Sequence, residues 1–410
     1  MFFTFQLILS LILLGIQFYF FQKIRLNSKK VLRKPVRLCI DIVFTLFSFP
    51  LILMLFFHSP LYLLPQWLVY GGIYPLYIWH FSSLILFLFV VIGKIIKIPF
   101  LVPQWILKKF QKTKIILERI EKHPGYVEFD ARRRSFIRYS GMFIAGATFT
   151  ASTYGAFRRS QYELTSIQIP IQHLPEELSG TTISLISDIH SSIFMAKEEM
   201  MRYADVVNEL QSDVIAVTGD FVNSMVEEVY PFAEAFSSLR APYGVFGVLG
   251  NHDYYTRQVE TVAKEVNNCG IKLLRNTNVA IQKGNQKLYI LGVDDVGSGA
   301  SASELFDVAR TGIEANTPTV LFCHRPYFFR QAARRNIDLT LSGHTHGGQI
   351  VFIKTSAGVI APARMVSPYV AGLYTMGASQ MYVSRGIGTV GIPIRINCPP
   401  EVTKITLVKA

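Results

Sequence analysis

From Phe2 to Phe21 the chain carries no charge and almost no polar side chain, the ~20 apolar residues a helix needs to cross a hydrocarbon layer. The pattern returns from Leu38 to Phe57, with Asp41 and Pro50 inside it, and again from about Leu76 to Ile92. A milder uncharged stretch, rich in Ala, Gly, Ser and Thr, fills residues 139–157 between Arg138 and Arg158. Beyond Arg159 the texture changes. Short runs (TTISLIS, SDVIAVTG, YGVFGVLG, TPTVLFCH, IDLTLSG) read as buried strands, while AKEEMMRYADVVNEL and TRQVETVAKEVNNC have helical spacing. The pattern predicts three or four membrane helices (about 2–21, 38–57, 76–92 and 139–157) in a region 1–157, followed by a layered α/β domain over 158–410.

Charge sharpens this division. Residues 1–160 hold 21 Lys+Arg and 5 Asp+Glu, leaving 20 and 23 for residues 161–410 out of totals of 41 and 28. The net charge of +13 therefore belongs to the amino-terminal part. Its cations cluster at Lys23–Arg37 and Lys94–Arg138, whereas His58–Pro75 has none, so the positive-inside rule puts the first two segments in the cytoplasm and the last outside. Trp67, Tyr70, Tyr74, Tyr77 and Trp79 suit an interfacial belt. The side taken by the remaining residues depends on the stretch 139–157: a fourth crossing, the expectation here, puts the domain on the extracytoplasmic side, and the alternative, a segment lying flat, leaves it in the cytoplasm. The slightly acidic carboxyl-terminal part lacks the basic, aromatic-interleaved face of a nucleic-acid binder, and no nucleic-acid partner is expected. Cys39, Cys269, Cys323 and Cys398 have no CxxC spacing and indicate neither a zinc ribbon nor a disulfide framework.

The chemistry lies where the strands end. The five runs terminate in Asp188-Ile189-His190, Gly219-Asp220, Gly250-Asn251-His252-Asp253, Cys323-His324-Arg325 and Gly343-His344-Thr345-His346, taking five of the nine histidines. Layered α/β folds gather sites at the carboxyl ends of strands, so these residues can converge although about 160 positions separate them. Mixed Asp/Asn oxygens and imidazoles suit two borderline divalent cations (Mn, Fe, Zn or Co) better than Ca or Mg. A carboxylate shared between them would set a separation of ~3.5–4 Å, suited to in-line displacement at phosphorus.

In that order, DIH, GD, GNHD, a lone His after a strand and GHTH resemble the calcineurin-like metallophosphoesterases over roughly Thr181–Gly348. The resemblance implies a four-layer α/β/β/α sandwich, here preceded by an α-helical transmembrane bundle, with two divalent metal ions (Mn, Fe or Zn). Carried over by motif, Asp188, His190 and His346 would hold one ion, Asn251, His324 and His344 the other, and Asp220 would bridge. His252 would face the substrate with Asp253 orienting its ring, and Arg325 would contact phosphate. GHTHGGQI and the tail from Met381 resemble the membrane-associated branch, which makes Gly386, Gly388, Pro393 and Arg395 wall or turn residues. Ser191-Ser192 departs from the small apolar residue and glycine of many relatives. The sequence Arg133-Arg134-Ser135-Phe136-Ile137-Arg138 resembles a twin-arginine export signal.

The expectation is a phosphoesterase held in a lipid bilayer and acting on a phosphodiester, phosphomonoester or pyrophosphate, lipid-linked substrates included. Two alternatives stand beside it: a UDP-2,3-diacylglucosamine pyrophosphatase on the cytoplasmic face, and a transport or scaffold protein with an accessory metal domain. Oligomeric state is left open by the sequence.

Overall fold

The computed structural model describes residues 2–28, 33–56, 64–295, 302–355 and 358–410; Phe57 of the second expected span lies outside them. The chain divides into two units, residues 1–60 with 70–154, and residues 61–69 with 155–410.

The amino-terminal part is helical: α1 (Phe2–Ser28), α2 (Lys34–Phe56), a short α3 (Gln66–Leu68), and α4 (Tyr74–Leu107), with a π-helical turn at Val69–Ile73 between the last two. Among the described residues three segments are long and apolar enough to cross a membrane: Leu7–Leu26, Lys34–Leu53 and Gln66–Leu107. Next come α5 (Gln111–Lys122) and α6 (Pro124–Arg158). His123 between them is extended, as a residue before proline prefers, and Pro124 opens α6 where its missing N–H costs nothing. Residues 139–157 form the second half of this single helix, which is not among the three apolar segments.

Polar side chains occupy the interior of this unit. Gln17 accepts from Trp79 Nε1 at 2.8 Å and lies 3.3 Å from His80 Nδ1, whose Nε2 faces the Phe47 carbonyl at 2.9 Å. Ser82 Oγ donates to Ser152 Oγ at 2.9 Å, and the Phe149 ring meets Trp79 edge-on at 5.5 Å. Without water, such groups need one another.

The second unit contains two six-stranded mixed sheets. The first runs in the order β1 (Glu163–Ile171), β14 (Glu401–Lys409), β2 (Thr182–Ile186), β3 (Val214–Val217), β4 (Val245–Gly247), β5 (Lys272–Leu273). The second runs β12 (Gly372–Met376), β13 (Ser379–Val383), β9 (Leu339–Ser342), β8 (Thr319–Cys323), β7 (Gln286–Val293), β6 (Thr277–Lys283). The helices α7 (Lys197–Glu209), α8 (Val229–Phe236), α9 (Asn251–Tyr255) and α10 (Val259–Asn268) follow strands of the first sheet; α11 (Ala302–Ala309) and α12 (Phe329–Arg334) follow strands of the second.

Period-two alternation sorts the strand residues into layers. Ile183, Leu185, Val214, Ala216 and Phe246 pack with Ile290, Val320, Phe322, Leu339 and Leu341 between the sheets. The intervening residues Ile186, Ile215 and Val217 face outward onto Met200, Tyr203, Phe232 and Val262 of the first helical layer. Tyr289, Leu291, Leu321 and Cys323 face Phe306 and Ala332 of the second. Both faces of each central strand are covered, so these strands read as unbroken apolar runs. The α/β/β/α sandwich is therefore present.

Candidate metal centre

Parallel strands β2, β3 and β4 of one sheet and β8 and β9 of the other all end at the donor residues. The chain then bends sharply: Asp188, His190, Asp220, His344 and His346 all have positive φ, between 48° and 73°. Non-glycine residues pay for that conformation, and such strain gathers where function holds it in place. Backbone hydrogen bonds fix the bends, Asp188 N–H donating to Gly219 O and His190 N–H to Asp220 O, each at 3.0 Å. A Cβ on Gly343 would stand 2.2 Å from Asp188 Oδ2, and one on Gly250 would stand 2.2 Å from Asp220 Oδ1. Only glycine lets these loops approach the carboxylates so closely.

The structure brings together all seven residues expected as ligands. His190 Nε2 and His346 Nε2 are 3.0 Å apart, and His346 Nε2 is 3.5 Å from Asp188 Oδ1. Asp220 Oδ2 lies 3.5 Å from His190 Nε2 and 3.2 Å from His324 Nε2. His324 Nε2 is 3.2 Å from both Asn251 Oδ1 and His344 Nδ1. Donor atoms within 4.8 Å of one another form three groups that could hold an ion: Asp188, His190 and His346; His190, Asp220 and His252; Asp220, His324 and His344.

The electrostatics match this geometry at His190, His344 and His346, while Asp220 and His324 form an ion pair with each other. Burial pushes His190 and His344 down to about 3 and His346 well below its ordinary value, so their rings are neutral and offer lone pairs. Burial alone would raise Asp220, but the His324 ring beside it outweighs burial and holds the carboxyl well below the usual range. Burial would lower His324, yet the Asp220 carboxylate draws it up to about 10. Asp188 is raised by burial to about 6. His190 Nδ1 is buried with no hydrogen-bond partner. Buried imidazole nitrogens converging on one another and on carboxylates fit a pair of borderline divalent cations.

Around the donors the structure corrects one expectation. Asp253 does not orient the His252 ring. Its carboxylate accepts from four backbone N–H groups, those of Asp220, Phe221, Val222 and Gly250, at 2.8–3.2 Å, and so ties the β3 loop to the start of α9. The partner of His252 Nδ1 is instead the Asn223 carbonyl, on a loop whose N–H groups at residues 223, 224 and 225 all donate to Glu228 Oε2. An acidic residue three positions after a helix-opening glycine is a capping pattern, a signal present in GNHD. Arg325 is half-buried, its Nε on Asp295 Oδ2 at 2.8 Å. Ser191 and Ser192 spend their hydroxyls on the Glu228 and His190 carbonyls.

Tyr327, which the sequence does not single out, and Arg395, expected as a wall or turn residue, back the centre. Tyr327 Oη lies 3.1 Å from His344 Nε2, leaving the Nδ1 edge to face the other donors. Arg395 is buried without a carboxylate partner, its guanidinium donating to the carbonyls of Arg385, Gly386, Gly388 and Cys398 behind His346. Gly386 and Gly388 lie against Asp188, and Gly388 N–H donates to its carbonyl at 2.8 Å.

Residues 181–348 match the family described as calcineurin-like phosphoesterase. A transmembrane protein with metallophosphoesterase domain from Danio rerio is 31% identical over 278 residues, 64% of this chain and 61% of that protein. The chain likewise covers 56% of the protein of that name from Bos taurus, so it spans about three fifths of these relatives. An uncharacterized metallophosphoesterase of Aquifex aeolicus is 30% identical over 277 residues, 65% of this chain and 98% of that protein. A relative matched over nearly its whole length, on top of a family match to the segment that carries every strand-end donor, means that this chain belongs to the calcineurin-like metallophosphoesterases.

Proposed function

We propose that the protein is a membrane-tethered phosphoesterase in which Asp188, His190 and His346 hold one divalent cation, Asn251, His324 and His344 a second, and Asp220 bridges the two. The position of Asp220 carries this reading: a single oxygen, Oδ2, faces His190 on one side and His324 on the other. Cations held by such a set supply activation of water at neutral pH and neutralisation of charge developing on the phosphoryl oxygens. With its Nδ1–H committed to Asn223 O, His252 has Nε2 free to meet a phosphoryl or leaving oxygen and to hold or release a proton there. Arg325, fixed through Nε by Asp295, would meet an anionic group of the substrate with its remaining nitrogens. The substrate is a phosphoester, and the metal is Mn, Fe or Zn.

Asp220→Asn tests the assignment. We expect the bound metal, measured by elemental analysis, to fall below two equivalents, and turnover of bis(p-nitrophenyl) phosphate to drop by about a hundredfold or more. Unchanged metal content and turnover would remove the bridge and with it the proposal.

We further infer that residues 139–157 cross the bilayer and carry the domain to the side opposite the basic loops. Support comes from the Ser82–Ser152 hydrogen bond and the Trp79–Phe149 contact, which bring this part of α6 against α4 and suit its small, hydroxyl-bearing composition. Protease added to intact cells should remove a carboxyl-terminal epitope. Protection until permeabilisation would put the domain in the cytoplasm and make a nucleotide-linked lipid such as UDP-2,3-diacylglucosamine the candidate.

A further inference from the structure

The loop bearing His344 and His346 runs through Gly347, Gly348 and Gln349 into β10 (Ile353–Thr355) and β11 (Gly358–Ile360), a hairpin with no third strand among the described residues. A 3₁₀ turn, Pro362–Met365, follows. Large apolar side chains stand out from this short piece: Phe352 is 58% exposed, Ile353 53%, Ile360 56%, Met365 92% and Val366 76%. Ile353 and Ile360 are register partners, and Phe352 N–H donates to Ile360 O, so these three adjoin in the hairpin, and Met365 and Val366 follow a few residues on. An isolated hairpin is marginal in water, and an apolar cluster of this size marks a surface made for an apolar environment.

The flap is rooted at the metal centre. Beneath it Val351 and Ala361 pack with Cys398, whose thiol lies 3.3 Å from both the His346 and Gly347 carbonyls. A Cβ on Gly348 would stand 2.8 Å from Ala361 Cβ, so the segment leans on the loop that carries the histidines.

Its charge selects the occupant. From Leu339 to Pro400 the sequence has no Asp or Glu, while Lys354 and Arg364 are exposed beside the apolar residues. Apolar side chains flanked by cations suit acyl chains beneath anionic phosphate headgroups, as in interfacial binding elements. The same chain carries three segments apolar enough to span a membrane, which keeps such a surface within reach. A soluble protein partner would offer the flap no comparable match of hydrocarbon and phosphate.

We propose that the exposed side chains of this flap, Phe352, Ile353, Ile360, Met365 and Val366, enter the headgroup and acyl region of a lipid bilayer, and that the centre acts on a phosphoester of a lipid drawn from that surface. The second clause rests on the phosphoesterase function proposed above; the first does not.

Two arms test them separately. The full-length chain carrying Cys39→Ser, Cys269→Ser and Met365→Cys is labelled with an environment-sensitive fluorophore in nanodiscs of phosphatidylcholine and phosphatidylglycerol. Blue-shifted emission quenched by acyl-chain nitroxides is expected. Emission of a water-exposed probe, quenched by iodide alone, would overturn the docking. In the second arm, Phe352→Ser/Met365→Ser/Val366→Ser is compared with wild type on dioleoyl phosphatidic acid in the bilayer and on soluble p-nitrophenyl phosphate. We expect kcat/KM to fall about tenfold on the lipid and less than about twofold on the soluble ester. Equal effects on the two, or a wild type that cleaves only the soluble ester, would overturn the lipid substrate. Cleavage of neither ester, nor of bis(p-nitrophenyl) phosphate, by metal-loaded wild type would sink the phosphoesterase reading, while the fluorescence result would still decide the flap.

Discussion

In the amino-terminal helices many large apolar side chains are on the outside, Phe18 62% exposed and Leu46 63%, while Gln17, Ser82 and Ser152 are at most 2% exposed. In the sandwich Phe232, Phe322, Leu185 and Leu341 are wholly buried, and exposed positions are mainly polar. One polypeptide thus follows opposite rules, because the surroundings of each part differ. Water drives Phe322 inward; a hydrocarbon phase makes no such demand on Phe18 and leaves hydrogen bonds and close packing to hold helices together. Burial alone therefore does not rank these residues by their importance to stability.

The widest break in the comparison should come from truncating the same side chain in each part. Phe322→Ala removes a ring between the two sheets and should cost about 3–5 kcal/mol, a large fraction of a domain's stability of roughly 5–15 kcal/mol. Phe18→Ala exchanges contacts with lipid for contacts with lipid and should cost about 1 kcal/mol or less. Thermal unfolding of the full chain in detergent, followed in the near ultraviolet, should show the domain transition falling by about 10 °C for the first variant and hardly moving for the second. Equal shifts would erase the distinction.

The same contrast explains what the sequence makes legible. The central strands and their terminal donors stand out because strands buried on both faces are continuous apolar runs, and because Gly250 and Gly343 mark the close approaches beside the donors. Runs of apolar residues likewise announce α1, α2 and α4. Tyr327 and Asn223 carry no such mark, and Arg395, expected as a wall or turn residue, gives no sign of the carbonyls it meets. Each acts through contacts that folding alone creates, such as the carbonyls around Arg395 or the Asn223 carbonyl at His252. The capping role of Asp253 competes with the more familiar reading of a carboxylate beside a histidine, and backbone N–H groups win because the loop would otherwise leave four of them buried and unpaired. The pairing of β1 with β14 joins residues more than 200 positions apart, beyond any local periodicity. In α6 the boundary between charged and uncharged residues falls inside one helix, so composition locates a change of surroundings but not an end of the element.

A smaller effect separates the two parts at the level of single hydrogen bonds. Gln17 joins α1 to α4 by accepting from Trp79 Nε1 and facing His80 Nδ1, while His80 Nε2–H reaches the Phe47 carbonyl of α2. One amide side chain thus helps fix three helices. Gln17→Leu keeps the volume and apolar contacts but strands the indole N–H and one imidazole nitrogen. In water-excluded surroundings that might be thought ruinous, yet interhelical hydrogen bonds in membranes average only about 0.6 kcal/mol, since the separated helices find other partners. We expect Gln17→Leu to lower bundle stability by about 1 kcal/mol, read as a modest shift in the detergent denaturation midpoint, with phosphoesterase turnover of a soluble ester unchanged. A loss of several kcal/mol would mean that the polar cluster around His80 is the bundle's principal tie, and a loss of turnover would mean that the centre senses the state of the helices.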